Sequence, residues 1–103
     1  MHEKPINQNV METLGKVEHP AIATSLMYLG MLRDVAISPE GQTSLTLVLP
    51  FPSIPENVRN YMVNSLSAAV VSAGGELVNV DVALMDDVER RDFLAMEQQK
   101  WRG

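Results

Sequence analysis

With 103 residues, 46% of them hydrophobic, the chain is long enough for one modest core and too short for two, so residues 1–103 read as a single domain. A formal net charge of −5, with eight Lys and Arg spread along the chain, gives nucleic acid and anionic membranes no electrostatic attraction and excludes both as expected partners. The absence of cysteine excludes disulfides, thiolate nucleophiles and any zinc or iron–sulfur site built on this chain's own cysteines.

No apolar run approaches the roughly 20 residues of a membrane span. The polar start Met1-His2-Glu3-Lys4-Pro5 is unlike a signal peptide, so the expected compartment is the cytoplasm. Ile6, Val10, Leu14 and Val17 recur at helical spacing and predict a first amphipathic helix over about 6 to 18. His19-Pro20 should end it, because the residue before proline disfavours the helical region. Met31, Arg33, Val35 and Ile37 then alternate with Leu32, Asp34, Ala36 and Ser38, which predicts a strand with one mostly apolar face. Ser38-Pro39-Glu40-Gly41 places Ser, Pro and Gly at the first, second and fourth positions of a type I turn, reversing the chain into a second strand with Leu45, Leu47 and Leu49 on one face.

A second helix comes next, with Val58, Tyr61, Met62, Leu66, Ala69, Val70 and Ala73 on one stripe, and Gly74-Gly75 closes it. A third strand has Val78, Val80, Val82 and Leu84 expected inward. A charged final helix begins at Asp86, with Glu89 as its capping-box partner; Asp86–Arg90 and Asp87–Arg91 are i, i+4 pairs. The order α-β-β-α-β-α predicts a two-layer α+β fold: a small three-stranded mixed sheet with helices packed on it. The core should span about 6–98, with 99–103 a tail or the start of a linker.

Chemistry-bearing residues are few. Pro50-Phe51-Pro52-Ser53-Ile54-Pro55-Glu56 forms a proline-rich strand-to-helix corner, and Ser53 invites a nucleophile reading. A nucleophilic serine needs a base, and the histidines are His2 and His19 alone, so Ser53-Ile54-Pro55-Glu56 is better read as an S-x-x-E capping box. Removing that cap should cost about 1 kcal/mol. His19, at the end of the first helix, should be favoured in its protonated form by the helix dipole. No second histidine or acidic cluster accompanies it, so it is expected to be a polar terminal residue with no metal bound. Met11, Met27, Met31, Met62 and Met85 sit in or beside apolar patterns and read as core filling, while Asp34, Asp81, Asp86 and Asp87 read as solvated or capping. Phe93, Met96 and Trp101 lie on a helix with few other apolar residues; they either contact a partner or fold back on the domain's own sheet.

Several of these segments resemble the iron–sulfur cluster assembly family of SufT-like and PaaD-like proteins, and in particular the domain that precedes the P-loop ATPase in Mrp/ApbC-type carriers. The resemblance rests on the first helix ending in His19-Pro20, on Leu29-Gly30-Met31-Leu32-Arg33-Asp34-Val35, on the leucine strand with its proline corner, and on Val78-Asn79-Val80-Asp81-Val82. Met85-Asp86-Asp87-Val88-Glu89-Arg90-Arg91 is similar to the segment after the last strand in ATPase-linked members. The family pattern has aspartate where this chain has His19 and Tyr28, and a Gly-Cys-Pro at the corner where this chain has Ser53. A thiolate is a strong soft ligand and a serine hydroxyl, protonated near neutral pH, is not, so no cofactor is expected on this chain itself.

The resemblance therefore implies a non-catalytic accessory or regulatory domain that acts by protein contact. Its expected partners are a covalently linked ATPase domain or iron–sulfur client proteins, and self-association is left open. The competing reading is a small-molecule or metal-binding module in which Pro52, Ser53, Ile54, Pro55 and His19 form an anion-accepting pocket at the start of the second helix. An enzyme is not expected, because no nucleophile–base or paired-carboxylate constellation can be assembled.

Overall fold

The computed structural model describes residues 5–101 and sets six elements in the order expected. They are α1 (Ile6–Leu14), β1 (Leu32–Ile37), β2 (Gln42–Leu49), α2 (Glu56–Ser72), β3 (Glu76–Leu84) and α3 (Asp87–Lys100). The strands form one mixed sheet in the order β1-β2-β3, with β1 antiparallel and β3 parallel to the central β2. A hairpin supplies the antiparallel pair and α2 is the crossover between the parallel pair. The fold is the two-layer α+β arrangement that the sequence pattern predicts.

The core is one continuous cluster. Leu45, Leu47 and Leu49 of β2 pack with Val10 and Leu14 of α1 and with Met62, Leu66 and Val70 of α2, all buried. The segment between α1 and β1 adds Ile22, Leu26, Leu29 and Met31, which meet Met85 and Phe93. Each such side chain contributes about 1.5–3 kcal/mol through burial. The hairpin turn follows its sequence: the Gly41 N–H donates to Ser38 O at 2.9 Å, and Gly41 takes φ +90°. This turn sits against the end of α2, where the Glu76 N–H donates to Gly41 O at 2.9 Å.

Local elements depart from the sequence pattern for identifiable reasons. α1 stops at Leu14, not near 18: Gly15 caps it, and Val17 and Glu18 instead pair with Leu26 and Ser25, the Leu26 N–H donating to Val17 O at 2.8 Å. In β1 the alternation breaks, because Asp34 adopts φ +54° and the pairing with β2 shifts between Arg33 and Ala36. That bulge puts both Leu32 and Ile37 opposite buried β2 residues, Leu47 and Thr43. Tyr61 lies off the buried stripe of α2, 55% exposed. Among the methionines read as core, Met11 and Met27 are substantially exposed, while Met31, Met62 and Met85 are buried.

The largest correction concerns β3. Val78, Val82 and Leu84, expected inward, are 53%, 51% and 50% exposed, and Val80 alone of that set is partly covered. β3 is an edge strand, and the face that continues the Leu45-Leu47-Leu49 row runs out from under its helical cover along it. Val78 is the extra residue of a bulge, since the pairing steps from Thr43–Leu77 to Ser44–Asn79.

Candidate functional site

The β2-to-α2 corner is fastened from the opposite side of the domain. The Met85 N–H donates to Leu49 O at 2.9 Å, so the chain entering α3 runs on beside the end of β2. From the first turn of α3, Arg90 donates from Nε to Pro50 O at 2.8 Å and from Nη2 to Met85 O at 3.1 Å. Its Nη1 meets Asp87 Oδ1 at 3.0 Å, and its guanidinium carbon stands 5.7 Å from the centre of the Phe51 ring. The i, i+4 spacing predicted Asp86 as the partner of Arg90; the structure gives Arg90 to Asp87 and the corner, because Asp86 is occupied as the helix cap. Asp86 Oδ1 accepts the Glu89 N–H at 2.8 Å and Glu89 Oε1 accepts the Asp86 N–H at 3.0 Å, which is the expected capping box. Glu89 also pairs with Arg33 of β1.

Ser53 does not cap α2. The helix begins at Glu56 with Pro55 in the cap position, and no side chain satisfies its first N–H groups. Pro55 itself is the reason: a capping box at Ser53 would require Ile54 to be helical, and the residue before proline is held extended. The proline therefore moves the helix start two positions onward. Pro52, Ser53 and Pro55 remain exposed, while Ile54 is half-buried.

Beneath the corner lies a cavity of about 150 Å³. It is lined by Pro50, Phe51 and Ile54 of the corner, Val58 and Met62 of α2, Met31, His19 and Ala21 before β2, and Phe93, Glu97 and Trp101 from α3 and the residue after it. The structure thus brings together His19 and Ile54, predicted as parts of a binding corner, with Phe93 and Trp101, predicted as partner contacts. Phe51, Met31 and Glu97 are lining residues that the sequence did not single out; Phe51 between two prolines was the available signal.

His19 sits in the loop, five positions beyond the end of α1, so the helix dipole expected to act on it is not aimed at it. Its Nδ1 accepts the Ala21 N–H at 3.0 Å, which places the proton of the neutral ring on Nε2. The His19 N–H donates to Thr24 O at 3.1 Å and further fixes the loop. His2 lies outside the described residues.

α3 is largely exposed, as its charge predicts, but it holds to the domain through one narrow face. Phe93 is 2% exposed within the core, which removes it as a surface contact, and Met96 packs partly buried against that core. Gln99 and Lys100 belong to α3, and Trp101 bridges to Ile22, with the Ala23 N–H donating to Lys100 O at 2.7 Å. The expected tail at 99–103 is therefore ordered structure through Trp101; residues 102–103 lie outside the described residues. Trp101 is 54% exposed while lining the cavity, so it has both a buried and an accessible face.

The donor set does not fit an iron–sulfur cluster. The chain has no cysteine, the corner offers Ser53, and among the described residues no three His, Asp or Glu side chains are grouped closely enough to hold a metal ion. Glu56 also sets a carboxylate in the first turn of α2, where an anion would have to dock.

Fold and corner together define a small two-layer α+β domain with a shaped apolar recess at its strand-to-helix turn. The chain belongs to the iron–sulfur cluster assembly protein family, whose family model matches residues 7–82. It is 40% identical over 74 residues to the iron-sulfur cluster carrier protein of Synechocystis sp. (strain ATCC 27184 / PCC 6803 / Kazusa). That alignment covers 71% of this chain and 20% of the relative, so the chain spans about a fifth of the curated protein it matches. The family match ends within β3, and α3, with Arg90, Phe93 and Trp101, lies beyond it. No helix among the described residues is long and apolar enough to cross a membrane.

Proposed function

We propose that this domain serves iron–sulfur cluster assembly or carriage as a non-catalytic accessory and regulatory unit, acting in the cytoplasm by protein contact and not by holding a cluster of its own. Its proposed partners are a Mrp/ApbC-type ATPase, linked to it or separate, and client proteins. The observation that carries this reading is the corner itself: it carries Ser53 and no cysteine, and beneath it lies an apolar cavity lined by Phe51, Ile54 and Trp101 among others. Half-exposed aromatic side chains beside a recess are the usual anchors of protein contacts.

Two measurements test it. After anaerobic incubation with ferrous iron and sulfide, the wild-type chain should elute from gel filtration without a stable visible chromophore or stoichiometric acid-labile sulfide; a retained cluster would refute the accessory role. Trp101, the single tryptophan, should report saturable binding when the domain is titrated with a purified Mrp/ApbC-type ATPase, and Ile54→Glu should abolish that change. A flat titration with the wild-type domain sinks the contact reading. The cavity also favours a second reading, a small-molecule module at the same corner, which a ligand-dependent rise in melting temperature would reveal.

A further inference from the structure

We infer that β3 is a self-association strand, pairing antiparallel with β3 of a second copy across a two-fold axis at Val82 to join two three-stranded sheets into one of six. β3 is the longest strand of the sheet, and among the described residues its outer edge faces no other strand. An open edge presents a row of unpaired N–H and C=O groups, and natural proteins blunt such edges with charged side chains, proline, β-bulges, short strands or a covering element. The bulge at Val78 blunts the first part of this edge, but the regular run Asn79–Leu84 beyond it has no Lys, Arg or Pro and Asp81 as its one charged residue. Among the described elements the helix that packs on β3 is α2, the crossover helix of the parallel pair. Val82 and Leu84 are half-exposed on the same sheet face as buried Leu47 and Leu49, so the apolar row of β2 continues outward to the edge.

One register pairs the strand with a second copy most fully; centred on Ala83 instead, only Val82–Leu84 would pair within the strand and Asp81 would face Met85 beyond its end. The bulge at Val78 leaves Asn79–Leu84 as the regular run available for pairing. With Val82 facing its own copy, Val80 stands opposite Leu84 of the second copy and Asp81 opposite its Ala83. No carboxylate meets a carboxylate, and both half-exposed apolar residues gain apolar neighbours. With Asp81 on the axis two carboxylates would face each other, and with Val80 on the axis the pairing would need the bulged Val78. A two-fold interface of this kind is isologous and closed, so association stops at the dimer.

The absence of native cysteine makes the register directly testable in the full chain. Directly opposed residues in an antiparallel pair have Cα atoms about 4.5–5.5 Å apart, within the span of a disulfide. Val82→Cys should therefore cross-link under mild oxidation at least about tenfold faster than Val71→Cys, an equally accessible control on α2. Sedimentation of the wild-type chain should show a monomer–dimer equilibrium. Val82→Lys should weaken it by about tenfold or more, with Leu84→Glu as the second variant. Both replaced side chains are half-exposed, so circular dichroism, and the unfolding midpoint at concentrations low enough for the wild type to be monomeric, should stay at wild-type values. Because each copy carries −5, added salt should tighten the dimer, whereas docking of a basic partner segment on this edge would weaken with salt. Monomer at every concentration, cross-linking of Val82→Cys no faster than the control, or a dimer untouched by both edge variants would overturn the proposal.

Discussion

Gly41→Ala is the substitution whose cost the structure divides most cleanly. Gly41 has φ +90°, and an added Cβ would stand 2.6 Å from Ile6 Cγ2 and 2.8 Å from Gly75 Cα, so strain and overlap act together. Gly74 has φ +93° with nothing within 4 Å of a built Cβ, so Gly74→Ala isolates the strain, about 1–2 kcal/mol. Gly75 lies outside the left-handed region, but its Cβ would meet Gly41 O at 2.5 Å and Val10 and Val70 methyl groups at 3.0 Å. Gly75→Ala thus isolates overlap, about 1–3 kcal/mol. Gly41→Ala should cost both, about 2–5 kcal/mol, which is a large part of the 5–15 kcal/mol stability of an ordinary domain. Urea titration followed by circular dichroism, with Trp101 fluorescence as an independent probe, reads these costs as midpoint shifts. With a slope of about 2 kcal/mol per molar urea, Gly41→Ala should move the midpoint by about 1–2.5 M and Gly74→Ala by clearly less. Equal midpoints for Gly41→Ala and Gly74→Ala, or a wild-type midpoint for Gly75→Ala, would refute the close approach of the hairpin turn to the end of α2.

Two further substitutions check the corner. Ser53→Ala should change stability by less than about 0.5 kcal/mol because that serine caps nothing, whereas Asp86→Ala, which removes an engaged capping box, should cost about 1 kcal/mol; both are read in the same urea titration. Arg90→Met removes the donors that hold Pro50 O and Met85 O and should cost about 1–3 kcal/mol. It should also accelerate amide exchange at Met85, whose N–H is bound to Leu49 O, and unchanged exchange there would mean that Arg90 is not what fastens the corner.

The periodic elements were legible in the sequence because their causes are local. Leucines at every second position of β2, the stripe Met62-Leu66-Val70 of α2, the Ser38–Gly41 turn and the Asp86–Glu89 capping box each depend on residues a few positions apart, and each occurs as read. Family membership was legible from short motifs for the same reason. Composition alone removed cysteine chemistry, and the irregular signals misled where one local rule outweighed another. Pro55 overrode the S-x-x-E pattern, pairing of Val17 and Glu18 with Leu26 and Ser25 took the chain out of α1 before His19-Pro20 could end it, and the bulge at Asp34 reset the alternation of β1.

Tertiary structure decided what the local pattern could not. Periodicity says that Val78, Val82 and Leu84 share an apolar strand, but only the sheet order makes that strand an edge and leaves them half-exposed. The sequence marks Phe93 and Trp101 as apolar residues on a charged helix; the return of α3 across the end of the sheet buries one in the core and sets the other at the mouth of the cavity. Arg90 looks like half of an i, i+4 pair until Pro50, forty positions earlier, is brought within its reach. Contacts between residues far apart along the chain form this corner and its recess, and a one-dimensional pattern carries no term for them.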